Sequence, residues 1–108
     1  MNKDKLKIMV DIDNTICYHE GKKEGIPNYE LAKPYAERIK KINDLYDEGN
    51  TIIYWTARGT MSGINWFTVT LSQLNEWGCK FHELRMGKPA YDLFIDDKNI
   101  NSEIYFSS

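Results

Sequence analysis

The chain has few cysteines and no long apolar run. These two features bear on its redox environment and on whether it spans a membrane. Among its 108 residues are two cysteines, Cys17 and Cys79, which are too few for a disulfide framework and lack the CxxC spacing of a redox motif. We therefore expect reduced thiols and a cytoplasmic location. No stretch approaches the roughly 20 apolar residues of a membrane span. The charged N-terminal residues lead into too short an apolar run for a signal peptide, so we expect no membrane partner.

The chain also has little net charge. A formal charge of −2 gives no overall field that would draw a long nucleic acid or an anionic membrane to the surface. We therefore expect no long nucleic-acid partner. A length of 108 residues is enough for one hydrophobic core but leaves little room for a second module. We expect a single domain over residues 1–108, and a homo-oligomer stays open.

Apolar periodicity predicts strands that alternate with helices. Runs that are apolar, β-branched or aromatic predict strands over residues 8–10, 51–55, 81–86 and 91–95. Apolar residues at helical spacing predict two helices, one with Pro34 in its first turn and Gly49 at its end, and one from Ile64 to Gly78.

The alternation predicts an α/β fold with a Rossmann-like, doubly wound and mostly parallel sheet. Residues 16–33 are polar and rich in turn-forming residues, which predicts a loop or a small flap rather than a further layer.

The most informative stretch is the end of the first predicted strand, where the apolar run stops at Asp11 and Asp13. Two carboxylates held a few ångströms apart at low dielectric repel each other strongly. A divalent cation, a proton shared between the acids or a basic neighbour would remove that cost. The pair points to metal-assisted chemistry, provided that partner residues follow later in the chain.

Polar residues also follow the later predicted strands. Thr56 comes directly after one strand, and Asp96 and Asp97 come directly after another. In doubly wound parallel sheets, ligands bind at the carboxyl ends of the strands. We therefore expect these side chains to converge with Asp11 on one edge of the sheet.

Four segments, taken in order, resemble the motifs of the haloacid dehalogenase superfamily of phosphohydrolases. They are the DxDxT run of residues 11–15, the strand-end threonine Thr56, Lys88 within a Gly-Lys-Pro triplet, and the pair Asp96 and Asp97. The resemblance spans residues 7–98. A DxDxT run alone is moderately specific, whereas four motifs in order on suitable elements are strongly so.

The resemblance implies a phosphate monoester hydrolase that works through an aspartyl-phosphate. Asp11 would be the nucleophile. Asp13 would protonate the leaving alcohol and then take a proton from the attacking water. Lys88 would contact the nucleophile and a phosphoryl oxygen, and Thr56 would donate its hydroxyl to another oxygen. An acid two residues after the nucleophile accompanies phosphatases rather than dehalogenases in this superfamily.

The resemblance also implies a Mg²⁺ cofactor. Asp11, the backbone carbonyl of Asp13 and Asp96 would hold the ion, and Asp97 would assist directly or through water. Such a cation would neutralise the repulsion between a carboxylate nucleophile and a phosphate.

The implied enzyme is capless and acts on a small phosphorylated metabolite. Neither residues 16–33 nor the segment between Thr56 and Lys88 has room for a cap domain. The layout looks most like short bacterial proteins associated with capsule or surface-polysaccharide synthesis, which favours a sugar phosphate. Two other functions remain open: a nucleotidase or polynucleotide phosphatase of the same superfamily, and a non-catalytic binding domain that keeps the fold.

Three further residues have side chains that could belong to a site. Arg58, two residues past Thr56, would either bind a substrate phosphate bidentately or form a surface salt bridge. His19 and His82 are interpreted as loop or strand residues without catalytic duty. Neither histidine is expected to form a zinc site with the cysteines.

Overall fold

The computed structural model describes residues 5–20 and 28–107. In chain order the elements are β1 (Lys7–Val10), β2 (Cys17–Tyr18), one 3-10 turn (Tyr29–Leu31), β3 (Lys33–Pro34), α1 (Ala36–Asp47), β4 (Thr51–Trp55), α2 (Phe67–Glu76), β5 (Glu83–Arg85) and α3 (Ser102–Tyr105). Within this part of the chain, no helix is long and apolar enough to cross a membrane.

A parallel three-stranded sheet lies at the centre, with β4 between β1 and β5. Val10 of β1 lies opposite Tyr54 of β4, and Trp55 of β4 lies opposite Arg85 of β5. Parallel neighbours need crossover connections, and α1 and α2 supply them. The predicted α/β class is confirmed. Because all three strands run the same way, the residues that follow them share one edge of the sheet.

A single buried apolar cluster joins the sheet, the helices and the loop after β1. β4 contributes the fully buried Tyr54, α1 contributes Ile39 and α2 contributes Leu74. Ile12 and Ile16 of the loop are also fully buried. Burying each such side chain contributes about 2 kcal/mol relative to leaving it exposed. The loop that carries the two acids is therefore anchored in the core by residues on both sides of Asp13.

The stretch predicted as a flap contains a short antiparallel pair, in which Cys17 of β2 lies opposite Pro34 of β3. The Tyr35 N–H donates to the Ile16 carbonyl at 2.8 Å and continues this pairing. Residues 21–27, which belong to the predicted flap, lie outside the described residues. The pairing of β2 with β3 brings the start of α1 against the end of the loop after β1.

One predicted strand is wrong. Residues 91–95 form no strand, and Leu93 and Ile95 are 75% and 87% exposed. Their aromatic and apolar composition favours a strand, but strand preference depends on the neighbours that a segment pairs with. In the described structure the segment pairs with no strand of the sheet.

The starts of both long helices also differ from the prediction. Pro34 lies in β3, and α1 begins two residues later at Ala36; a proline is tolerated in this short edge pairing because an edge position does not require the N–H that proline lacks. α2 begins at Phe67 rather than Ile64, since the Asn65 side chain accepts the Phe67 N–H at 3.0 Å in the preceding turn.

Candidate active site

The loop after β1 makes a fixed turn. Asn14 adopts a left-handed backbone conformation with φ of +62°, which asparagine tolerates better than most residues. Its N–H donates to the Cys17 carbonyl at 2.9 Å, and the Thr15 N–H donates to the Ile12 carbonyl at 3.1 Å. The turn leaves the two acids partly exposed at the carboxyl end of the sheet.

The Asp11 carboxylate contacts one cation and one hydroxyl. Lys88 Nζ lies 3.3 Å from Oδ1, and Thr15 Oγ1 donates to Oδ2 at 3.1 Å. The side chains of Asp11 and Lys88 are 35% and 12% exposed. The two residues are 77 positions apart in the chain, so the contact is produced by the fold. A carboxylate that is open to solvent and flanked by a cation is suited to approach an anionic substrate.

Backbone and aromatic contacts fix the position of Lys88. Its N–H donates to the Thr56 carbonyl at 3.0 Å, and its own carbonyl accepts from Thr60 Oγ1 at 2.8 Å. The ammonium lies 5.2 Å from the ring centre of Tyr91 and 5.9 Å from that of Trp55, within the range of cation–π attraction. These contacts hold the ammonium next to the carboxylate.

Thr56 is fully buried directly after β4. Its N–H donates to the Arg85 carbonyl at 3.0 Å, which extends the pairing of β4 with β5 by one residue. Its Oγ1 accepts the Arg58 N–H at 3.1 Å, and its own hydroxyl proton remains available for donation. The structure thus places Asp11, Thr56 and Lys88 on the same edge of the sheet.

Asp13 is bound on both carboxylate oxygens by Arg58. The Arg58 Nε donates to Oδ2 at 3.0 Å and Nη2 donates to Oδ1 at 2.8 Å, a bidentate arrangement. His19 Nε2 lies 2.9 Å from the same Oδ1. Burial by itself would raise the pKa of Asp13, but the hydrogen bonds and charge of Arg58, and then those of His19, hold that pKa below its ordinary value. Asp13 is therefore a carboxylate at neutral pH.

The side chain of Arg58 has no exposed surface. Besides binding Asp13, its Nη1 donates to Thr70 Oγ1 at 3.1 Å and to Gln73 Oε1 at 2.6 Å. Its guanidinium lies 4.7 Å from the ring centre of Tyr29. The structure corrects both interpretations of Arg58: all three side-chain nitrogens are already bonded within the protein, so none is available to a substrate, and the salt bridge is buried rather than on the surface.

Cys17 and His19 join Asp13 in a cluster that the sequence did not predict. Their potential ligand atoms lie within 4.8 Å of one another, and the His19 side chain is 16% exposed. Burial, followed by the charge of Asp13, raises the pKa of the Cys17 thiol to about 12, so the thiol keeps its proton. Because Arg58 occupies both oxygens of Asp13, the arrangement favours an ion pair over a bound metal.

The proximity of His19 to Cys17 was not predicted from the sequence, and the expectation that the histidines form no zinc site with the cysteines stays a prediction. No motif spacing marks His19, and only the pairing of β2 brings it to Asp13. His82 differs, since its Nδ1 accepts the Ile52 N–H at 3.1 Å beside the sheet. A sequence signal did exist for Thr70 and Gln73, which are polar residues within the apolar stripe of α2.

The predicted magnesium ligands do not come together. Asp96 and Asp97 are exposed and follow the unpaired segment 91–95. Among the described residues, no three of the four predicted acids bring carboxylate oxygens within 4.8 Å of one another. The carboxylates of these four acids therefore form no three-ligand cluster by themselves. The physical reason is the missing strand, because no pairing beside β1 carries the last two acids to the carboxyl edge of the sheet.

Comparisons with known proteins support the fold. No protein-family model matches this chain, and no curated protein matches it. It is similar to a crystal structure of a target protein from Vibrio cholerae, with a TM-score of 0.80 and 20% sequence identity over 95% of this chain and 89% of that one. At this identity the likeness shows the fold alone. The comparison therefore supports a single α/β architecture for this chain.

Proposed function

We propose that this chain is a phosphate monoester hydrolase in which Asp11 is the nucleophile. The observation that supports this most is the distance of 3.3 Å between Asp11 Oδ1 and Lys88 Nζ, at the sheet edge where parallel α/β folds bind ligands. A phosphate dianion would be repelled by a lone carboxylate. The ammonium beside Asp11 offsets that repulsion and gives the phosphate a charged hydrogen-bond donor.

In the first step, an oxygen of Asp11 attacks phosphorus. The bond from phosphorus to the alcohol oxygen breaks, the alcohol oxygen leaves with the electron pair of that bond and takes a proton from water, and Asp11 then carries the phosphoryl group as an acyl phosphate. Lys88, whose side chain is partly exposed, stabilises negative charge on the transferring oxygens. Thr56 is fully buried, so the donor role that the resemblance gives its hydroxyl requires the hydroxyl to become accessible when substrate binds.

In the second step, water attacks the phosphorus of the acyl phosphate. The bond to Asp11 breaks, inorganic phosphate leaves, and Asp13 takes up one proton of the water and then releases it to solvent, which restores the carboxylate. Asp13 is unprotonated before this step, since Arg58 and His19 hold its pKa below the ordinary value. The same ion pair makes Asp13 a poor donor to the leaving alcohol in the first step, so the proposal gives it the base role.

The proposal of a Mg²⁺ cofactor rests on the sequence resemblance alone. Among the described residues, the carboxylates that would hold the ion form no three-ligand cluster, and no step above is assigned to it. Measuring the rate with added Mg²⁺ and with a chelator tests this part of the proposal separately from the role of Asp11.

We further propose a small sugar phosphate as the substrate and the cytoplasm as the setting. The proposed enzyme is a capless, Rossmann-like domain with a doubly wound sheet, active alone or as a homo-oligomer. A long nucleic acid is disfavoured by the net charge of −2, whereas a mononucleotide is small enough to compete with the sugar phosphate.

The test is a phosphate-release assay on the full chain, with Mg²⁺, across sugar phosphates, mononucleotides, a phosphorylated DNA end and an aryl phosphate. We expect turnover of sugar and aryl phosphates that is lost in Asp11→Asn. The matched control is Asp47→Asn, an exposed acid on α1 that pairs with Lys80, which keeps the wild-type rate. Preference for a mononucleotide would instead favour a nucleotidase. No turnover of any ester by the folded protein would contradict the proposal and favour a binding domain.

A further inference from the structure

Arg58 lies in a buried hydrogen-bond network whose contacts to α2 the two proposed steps do not use. We infer that Arg58 is a positioning residue, which fixes the orientation of the Asp13 carboxylate and is itself held by α2. The inference rests on the proposed function, because it gives Arg58 a task in that reaction without contact to the substrate.

The contact between Arg58 and Asp13 restricts rotation of the carboxylate. Two different nitrogens bind the two oxygens at 3.0 and 2.8 Å, so turning the carboxylate breaks at least one bond. His19 adds a third contact to Oδ1. A base must lie within hydrogen-bond reach of the proton that it accepts, and a planar guanidinium fixes both oxygens in a way that a single ammonium does not.

The other side of Arg58 is fixed by α2. Thr70 and Gln73 lie one turn apart on the helix and are both buried, and both accept from Nη1. The Gln73 amide also donates to the Tyr29 carbonyl, so the network continues into the 3-10 turn. Buried polar side chains are costly unless they find partners, and Arg58 is the partner that the two α2 residues share.

Two simpler roles for Arg58, contact with the substrate and a contribution to stability alone, account for fewer of its contacts. A substrate contact would require Nε, Nη1 or Nη2 to leave Asp13, Thr70 or Gln73, and each of these buried groups would then lose its partner. Stability is also a weak reason for a buried ion pair, because apolar replacements of similar volume are often as stable or more so. A carboxylate that must keep one orientation beside the nucleophile accounts for both the burial and the bidentate geometry.

Two variants test the inference with matched controls. Arg58→Lys keeps the charge but loses the planar guanidinium that binds both carboxylate oxygens. Thr70→Val removes one hydrogen-bond acceptor of Arg58 with little change of side-chain shape. The controls are Arg85→Lys and Thr68→Val, both at exposed positions, the second on the same helix as Thr70. Steady-state kinetics are measured on all five proteins with an aryl phosphate and Mg²⁺, together with the thermal midpoint of each.

We expect Arg58→Lys to lower kcat by about 10- to 100-fold while KM changes by less than about threefold, since a misplaced base slows the reaction without weakening binding. Thr70→Val lowers kcat by about threefold to tenfold in the same manner, and it carries the test if Arg58→Lys does not fold. The two controls keep the wild-type constants.

The failures of the two proposals are distinguishable. A wild-type protein without turnover contradicts the proposed function and the positioning role with it. An active wild type contradicts the positioning role alone in either of two cases: KM rises while kcat is unchanged, as for a substrate contact, or the thermal midpoint falls while both kinetic constants are unchanged, as for a purely structural residue.

Discussion

Arg58 Nη2 lies 2.8 Å from Asp13 Oδ1, whereas the cation beside Asp11 is Lys88 at 3.3 Å. The two acids of the DxDxT run thus have separate cationic partners, and their mutual repulsion is offset by two basic neighbours. Asp13 is held in a buried ion pair with a lowered pKa. Asp11 keeps part of its side chain open to solvent. The two acids therefore have different surroundings, which supports the proposed roles of attack for Asp11 and proton acceptance for Asp13.

Replacing Lys88 tests the cation beside the nucleophile. Lys88→Met removes the donor that stabilises charge on the phosphoryl oxygens, and we expect kcat to fall by about 100-fold. Lys40→Met, which removes a surface lysine paired with Asp44, is the control and leaves kcat unchanged. Equal rates for Lys88→Met and the wild type would show that Lys88 takes no part in the reaction.

The ion pair of Asp13 predicts a strong dependence on the leaving group. Since Asp13 is a poor proton donor in this arrangement, kcat/KM should fall steeply across a series of phosphate esters as the pKa of the leaving alcohol rises. The measurement is a plot of log kcat/KM against that pKa for aryl and alkyl phosphates. A flat plot would mean that a protonated group assists departure, and would return the acid role to Asp13 or to a neighbour.

The lowered pKa of Asp13 also predicts how stability depends on pH. Its contribution to folding is fully present above the ordinary value of 3.8 and is lost as the pH falls through the lower value in the folded state. Asp13→Asn leaves Arg58 buried without a counter-charge, and at neutral pH we expect a loss of about 3 kcal/mol. Urea unfolding of both proteins from pH 7 to pH 2 should show this difference shrinking at the acid end.

Asp47→Asn is the control for that series, because its exposed pair with Lys80 contributes little. A difference between the wild type and Asp13→Asn that stays constant down to pH 2 would contradict the ion pair as the source of the lowered pKa.

Replacing each of two glycines with alanine tests how tightly the turn that follows Arg58 is packed. Gly59 and Gly63 both have positive φ, at +82° and +76°. A Cβ at Gly59 would lie 2.1 Å from the Ile64 carbonyl oxygen, whereas one at Gly63 would meet nothing within 4 Å. We expect Gly63→Ala to lose about 1 kcal/mol of unfolding free energy from its backbone conformation and Gly59→Ala to lose about 3 kcal/mol. Equal losses, measured by urea unfolding, would show that the close approach to Ile64 relaxes freely.

Much of the fold follows from local sequence patterns. The strand over residues 51–55 and most of both long helices are confirmed, because β-branched runs and helical periodicity report burial directly. The predicted strand over residues 81–86 is present in shortened form as β5, Glu83–Arg85. Residues 91–95 are also rich in apolar and aromatic residues but form no strand, because composition does not show whether a segment has a strand to pair with.

The candidate site, like the fold, was only partly predictable from local sequence patterns. Asp11 and Thr56 are predicted from their positions at strand ends, which a parallel sheet brings to one edge, and Lys88 is predicted from its Gly-Lys-Pro motif. The partner of Asp13 was not predicted, because Arg58 is 45 residues away and its direction is set by contacts with α2. Polar residues on the buried face of that helix, such as Gln73, were the one local sign that a buried charge lay nearby.

The most direct test of the account is to trap the acyl phosphate on Asp11. The protein is mixed with an aryl phosphate and Mg²⁺, quenched in acid and reduced with borohydride, which converts an aspartyl-phosphate to homoserine, and peptides are then mapped by mass spectrometry. The account predicts homoserine at position 11 only when substrate is present, and none in Asp11→Asn. Turnover without modification of Asp11, or modification at another acid, would contradict it.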